Sequence, residues 1–171
     1  MENEQNKIEV KKDEIQLIMD TREQEGRFLF ESYDDVYLIR RKLDTGDYSI
    51  KGFEDKITVD RKAHTGEWYI DVGRQEQRFK RQIERMQLFE EAYFICCFPY
   101  SDFGIFPKNS SIPSYRWPSL KMSSNFIKKR DHEIREQCPT LQFIFCEDRV
   151  AAEAKTYEVL RNYYEKNKNR K

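Results

Sequence analysis

The sequence predicts a three-layer α/β domain, and three observations predict it. Short apolar runs alternate with stretches of helical periodicity. Two of the runs are close enough to pair as a hairpin. The length, 171 residues, suits one domain with a proper core. The chain is nonetheless very polar: 36% of its residues are charged and its mean hydropathy is -0.93.

Taken in order, Ile15-Gln16-Leu17-Ile18-Met19 reads as a buried strand over 15–20 that delivers Asp20 and its neighbours at its C-terminal end. A second strand is expected within 35–40. Alternating residues in Gly46-Asp47-Tyr48-Ser49-Ile50 and Ile57-Thr58-Val59-Asp60-Arg61-Lys62 give hairpin strands over 45–50 and 56–62, with the polar residues 51–56 as the turn. A helix follows over 72–91, because Val72, Phe79, Ile83 and Met86 recur on one side. The run from Ala92 to Phe98 reads as a strand. Pro107, Pro113 and Pro118 then keep 99–118 extended and out of the sheet. A helix over 119–137, a strand over 141–146 and a helix over 148–165 complete a domain spanning 15–165. The charged residues 1–14 and the basic stretch 166–171 contain almost nothing apolar and are expected to be mobile tails.

Composition excludes several classes. No apolar run approaches the roughly twenty residues needed to cross a bilayer. Cys96, Cys97, Cys138 and Cys146 lack metal-type pairing and no signal peptide precedes them, so they read as reduced core residues of an intracellular protein. The 31 basic and 31 acidic residues cancel, but not evenly along the chain. Between Lys108 and Arg130 there is no Asp or Glu, while Arg116, Lys121, Lys128 and Lys129 fall there. Such segregation focuses a local field even when the sum vanishes.

The chemistry concentrates at the hairpin. Side chains on a strand alternate faces, so Asp60 and Lys62 share one face while Val59 and Arg61 take the other. A carboxylate and a lysine two residues apart, with Asp47 from the neighbouring strand, suit a divalent cation beside a scissile phosphate. Asp20 and Glu23 offer further hard oxygen ligands of the kind Mg²⁺ or Mn²⁺ prefers.

These residues carry a resemblance. Asp-Thr-Arg-Glu at 20–23, Thr-Gly-Asp-Tyr at 45–48 and Asp-Arg-Lys at 60–62 resemble, in order and spacing, the nuclease domain of the XPF family of structure-specific endonucleases. The likeness continues through Gly73-Arg74 and the helix from Arg78 to Met86, and covers roughly 15–165. It implies a restriction-endonuclease-like core, a central mixed sheet flanked by helices. It also implies a DNA endonuclease dependent on Mg²⁺ or Mn²⁺ and acting at branched or single/double-strand junctions, with no organic cofactor and no membrane.

By that resemblance Asp47, Asp60, Lys62 and Asp20 are catalytic, and Asp47, Asp60, Asp20 and Glu23 hold the metal. Lys62 orients or helps deprotonate the attacking water, and Arg61 anchors the hairpin through an ion pair. Two departures stand out. Asp60 replaces the family's usual Glu, and Thr65-Gly66 occupies the place of its last acidic residue, leaving Glu67 or Asp71 as substitutes. XPF-like enzymes commonly append tandem helix-hairpin-helix modules, for which this chain ends too soon, so a homodimeric or heterodimeric partner is expected to share substrate choice. Compact forms of this kind are similar to those of phages and bacteria, which favours a bacterial or phage-infected cytoplasm, or the nucleus if the source is eukaryotic.

For DNA contact the candidates are Arg74, Arg78 and Arg81, which with Arg85 recur at helical spacing, and Arg116, Trp117, Lys121, Lys128 and Lys129. The arginine stripe reads either as a solvated face balanced by Glu76 and Glu84 or as a phosphate contact, Arg74 reaching substrate first. Tyr115 and Trp117 either stack on unpaired bases or pin their loop to the domain. His64 reads as incidental. Two competing functions stay open: a Holliday-junction resolvase or restriction-type nuclease of the same fold, and a nuclease-like module that binds DNA without cutting it.

Overall fold

The computed structural model describes residues 14–24 and 26–169. Six strands form one sheet in the spatial order β2-β1-β3-β4-β5-β6. They are β1 (Ile15–Met19), β2 (Val36–Arg40), β3 (Tyr48–Ile50), β4 (Ile57–Lys62), β5 (Glu91–Cys96) and β6 (Leu141–Phe145). Strands β1, β3 and β4 run antiparallel as a meander, while β4, β5 and β6 are parallel. Parallel pairing needs a crossover, and the helices supply it. Short α1 (Thr65–Tyr69) and longer α2 (Glu76–Met86) link β4 to β5, and α3 (Ser124–Gln137) links β5 to β6. The last helix, α4 (Arg149–Asn167), follows β6. No helix among the described residues is long and apolar enough to cross a membrane.

Alternation along the central strands fills two cores. Ile57, Val59, Tyr93 and Ile95 face one side of the sheet and meet Ala152, Val159, Leu160 and Tyr163 of α4. Ala92, Phe94 and Cys96 face the other side, where Trp68, Phe79, Ile83 and Ile134 cover them. The sheet is thus sandwiched between α4 and the α1–α3 layer, the three-layer α/β arrangement that the alternating pattern predicts. Trp68 is the hub of the second core: fully buried, its ring lies 5.3 Å from Phe79, 5.8 Å from Phe94 and 6.0 Å from Phe143 between centroids.

Three expected boundaries are corrected. The single helix over 72–91 is broken: α1 begins at Thr65, Ile70–Arg74 forms a π-helical turn, and α2 starts only at Glu76. The amide of Gln75 bonds the carbonyl of Ile70 five residues back, and that wider turn resets the helical phase. The helix expected from 119 begins at Ser124, because the Ser123 side chain accepts from the Phe126 amide and caps it there; Ser114–Ser119 is a separate 3₁₀ turn. At the C-terminus α4 runs through Asn167, whose buried amide donates to the Tyr163 carbonyl at 2.8 Å, so the segment from 166 starts as helix and not as a tail. The expected N-terminal tail, but for Glu14, and residues 170–171 lie outside the described residues.

Trp68→Ala is expected to lower unfolding free energy by about 3–5 kcal/mol, because a large fully enclosed ring leaves a cavity that its aromatic neighbours cannot fill. Urea denaturation would read this as a fall in the midpoint at unchanged slope. A loss below about 1 kcal/mol would mean that the second core is not organised around this residue.

Candidate active site

The antiparallel β3–β4 pair and the start of α2 enclose an open cavity of about 290 Å³. Asp47 enters it from the residue before β3, held on three sides. Its amide donates to the Val59 carbonyl at 2.8 Å, its carbonyl accepts from the Asp20 amide at 2.8 Å, and its Oδ2 accepts from the Arg61 amide at 2.7 Å. Gly46 makes the preceding turn with φ of +78°. A Cβ there would stand 2.0 Å from Thr58 Oγ1 and 3.0 Å from the Val59 carbonyl. The chain can lie flat on β4 and aim Asp47 at the cavity only with glycine at this position.

From β4, Asp60 and Lys62 emerge on the same face. The Lys62 ammonium lies 2.9 Å from Asp60 Oδ1 and 2.7 Å from Asp71 Oδ2, and 5.3 Å and 5.1 Å from the centroids of the Phe79 and Phe94 rings. Burial pushes its pKa down, but Asp60 and Asp71 outweigh that and raise it, so Lys62 carries its proton through the neutral range. Gln82 Nε2 donates to Asp60 Oδ2.

Glu23 and Arg61 form a separate knot on the cavity wall. Glu23 Oε2 accepts from Arg61 Nε and from the Tyr48 hydroxyl, each at 2.9 Å. Both Glu67 and Asp71, the alternatives for the last acidic place, line the cavity. Asp71 bonds Lys62, whereas Glu67 accepts from the Ala63 amide at 2.7 Å. Burial raises the pKa of each carboxyl. That of Asp47 is raised well above the ordinary value by burial and by the charges of Asp60 and Glu23.

Asp20 is the exception among the expected acids. It sits beside Asp47 in the sheet but is fully buried and off the cavity wall. Its oxygens accept from Arg22 Nε at 2.6 Å, the Arg22 amide at 2.8 Å and the Leu43 amide at 2.6 Å. Burial raises its pKa, yet those bonds outweigh it and leave the carboxyl below the usual range. Expected convergence of Asp20 with Asp47 and Asp60 is thus corrected, since local donors claim its lone pairs. Among the described residues no three His, Cys, Asp or Glu side chains are gathered tightly enough to cage an ion by themselves.

The arginine stripe does not act as one face. Arg78 and Arg85 line the cavity with Gln82 between them, whereas Arg74 and Arg81 face a neighbouring groove. Gln82 is a site residue that sequence reasoning missed; its i+4 spacing from Arg78 was the available signal. Lys128 and Lys129 lie on α3 away from the cavity, Lys129 within 3.8 Å of Glu133. Trp117 pins its loop, donating from Nε1 to the Ile112 carbonyl at 2.8 Å. His64 lies outside the cavity, behind Arg61 and Glu67.

Two outcomes test this geometry. Gly46→Ala is expected to destabilise the fold by at least about 2 kcal/mol, from strain at positive φ plus the clash with β4; a neutral result in thermal or urea melts would remove the turn from the account. The second concerns pH. Asp47 keeps its proton to higher pH folded than unfolded, so from about its ordinary 3.8 upward the folded chain binds more protons and stability falls as pH rises. In EDTA, Asp47→Asn should therefore show a higher urea midpoint than the parent at about pH 8 and a matching one at about pH 4. A parent as stable as the variant at the higher pH would contradict the crowding.

No protein-family model and no curated protein matches the sequence. Among solved structures, XPF from Aeropyrum pernix superposes with a TM-score of 0.60 at 18% identity, over 86% of this chain and 61% of that one. XPF from the same organism in complex with DNA superposes with a TM-score of 0.59 at 18% identity, over 89% of this chain and 66% of that one. The matched region thus spans less than two thirds of either XPF chain. What these superpositions establish is architecture: this chain has the restriction-endonuclease-like fold of the XPF nuclease domain.

Proposed function

We propose that the protein is a metal-dependent DNA endonuclease that hydrolyses phosphodiester bonds, with branched or single/double-strand junction DNA as its substrate. The observation that carries this reading is the meeting of Asp47, Asp60 and the Lys62 ammonium in one open cavity walled by Arg78 and Arg85. The likeness to an XPF that was solved with DNA supports it.

The residues fit Mg²⁺ or Mn²⁺. Both donors are hard carboxylate oxygens, and Mg²⁺ usually keeps several waters and takes only one or two protein carboxylates. The crowding that raises the pKa of Asp47 is what a cation would relieve. Asp47 and Asp60 would hold it, with Glu23 and Asp71 as neighbouring charge. Such a cation supplies Lewis acidity toward water and toward a phosphate oxygen.

The remaining roles belong to the side chains. Lys62, permanently cationic between Asp60 and Asp71, offsets negative charge gathering on the phosphate oxygens in the transition state. Gln82 fixes the Asp60 carboxylate, and the Arg61 amide fixes that of Asp47. Arg61 uses its side chain on Glu23 and so braces the wall instead of reaching the phosphate. Arg78 and Arg85 stand where a phosphate backbone entering the cavity would meet fixed positive charge.

Labelled flaps, forks, four-way junctions and plain duplex, each incubated with Mg²⁺ or Mn²⁺, test the proposal. Cutting by the parent is expected, with Asp60→Asn and Lys62→Ala each slowed about a hundredfold or more while DNA affinity is kept. Preference for four-way junctions alone would point to a resolvase. Binding without cutting by the parent would leave a DNA-binding module and sink the enzymatic reading.

A further inference from the structure

Beside the active-site cavity runs a second groove of about 630 Å³, between the π-helical turn Ile70–Arg74 and the segment 112–122. Its volume falls within the range of ligand-binding clefts. The two spaces are neighbours, with Ile70 lining both. Their chemistry differs sharply. The cavity wall carries five carboxylates, Glu23, Asp47, Asp60, Glu67 and Asp71, in addition to Asp44. The groove wall has Arg74, Arg116 and Lys121 and, among the described residues, no carboxylate.

None of these three cations forms an ion pair with a described residue. That is informative in a chain with equal numbers of acids and bases, where Arg130, from the same acid-free stretch, is taken up by Glu76 at 2.8 Å and Glu133 at 2.7 Å. Beneath the cations the floor is apolar: Ile112, Leu120 and Met122, with Met122 packed so closely on Gly73 that a Cβ there would lie 2.1 Å from its Cε. The segment carrying them is held in shape by Trp117, bonded to the Ile112 carbonyl.

A row of unpaired cations over an apolar floor distinguishes two forms of nucleic acid. Duplex buries its base faces in its own stack, so an apolar floor beside its phosphates has no base face to meet. An unpaired strand presents phosphates and bare base faces together, and both gain from such a groove. We propose that this groove holds the unpaired strand of the DNA where it enters or leaves the active-site cavity, phosphates against Arg74, Arg116 and Lys121 and base faces against Ile112, Leu120 and Met122. The proposal rests on the nuclease reading in treating that strand as substrate; the binding itself does not require cleavage.

Fluorescence anisotropy in EDTA tests it with two probes, labelled oligothymidylate and a blunt duplex of equal length. The parent is compared with the triple variant Arg74→Ala, Arg116→Ala, Lys121→Ala, whose positions are all exposed, and with Leu120→Glu. Each variant is expected to lose about tenfold or more in affinity for oligothymidylate and less than about threefold for duplex. The triple variant should also flatten the salt dependence of single-strand binding by about 2 in log-log slope, from three lost phosphate contacts. Equal losses on both probes, unchanged single-strand affinity, or a parent that fails to bind oligothymidylate would each overturn the proposal. Cleavage assays on the parent separate the two readings. Selective loss of single-strand binding in a protein that cuts no DNA sinks the nuclease and leaves the groove standing, whereas full single-strand affinity in both variants of an active nuclease sinks the groove alone.

Discussion

A lysine ammonium under α2, on the aromatic face of a central strand, is the constraint that the surrounding structure satisfies. Removing such a charge from water is expensive by several kcal/mol unless anions stand within contact distance. Asp60 and Asp71 do so, at 2.9 and 2.7 Å. One comes from the same strand and the other from the π-helical turn, so the pairing ties the sheet to the helical layer at the point where the cavity opens. Phe79 and Phe94 exclude solvent around the stem. Lys62 is fixed in this way as a positive charge between two carboxylates.

The acids around it are arranged at the expense of stability. Asp47 faces Asp60 and Glu23 in a half-buried setting and holds its proton more tightly than an exposed aspartate would. Nothing in folding requires that crowding. Gly46, which permits it, gives up conformational freedom in the unfolded chain that a larger residue would have restricted. Concentrated like charge of this sort is a common mark of a functional site. By contrast Asp20, two hydrogen bonds deep in Arg22 and capped by the Leu43 amide, is relaxed and supports the end of β1.

Basic charge is sorted as carefully as acidic charge. Arg61 closes on Glu23, Arg130 on Glu76 and Glu133, Arg135 on Asp131 at 2.9 Å. These pairs hold layers together. Arg74, Arg78, Arg85, Arg116 and Lys121 instead ring the two neighbouring depressions. A zero formal net charge therefore describes the sum and not the surface that a polyanion would meet.

The local alphabet of the chain determined much of this. Period-two alternation in 57–62 put Asp60 and Lys62 on one face and Arg61 on the other, and the apolar runs within 15–20, 92–98 and 141–146 marked strands because β-branched and aromatic residues fit a half-buried pleat. Only the tertiary structure decided which acids converge. Asp20 looks identical to Asp47 in sequence, but four donors from Arg22 and Leu43 reach it first. The arginine stripe failed as a single face because the π-helical turn sets Arg74 apart from α2, and on α2 itself Arg85 nearly eclipses Arg78 while Arg81 is rotated about 60° away. Gln82 and the groove under Arg116 were invisible because their partners are 22 residues away or on another element, and periodicity carries no information about which distant face will pack against which.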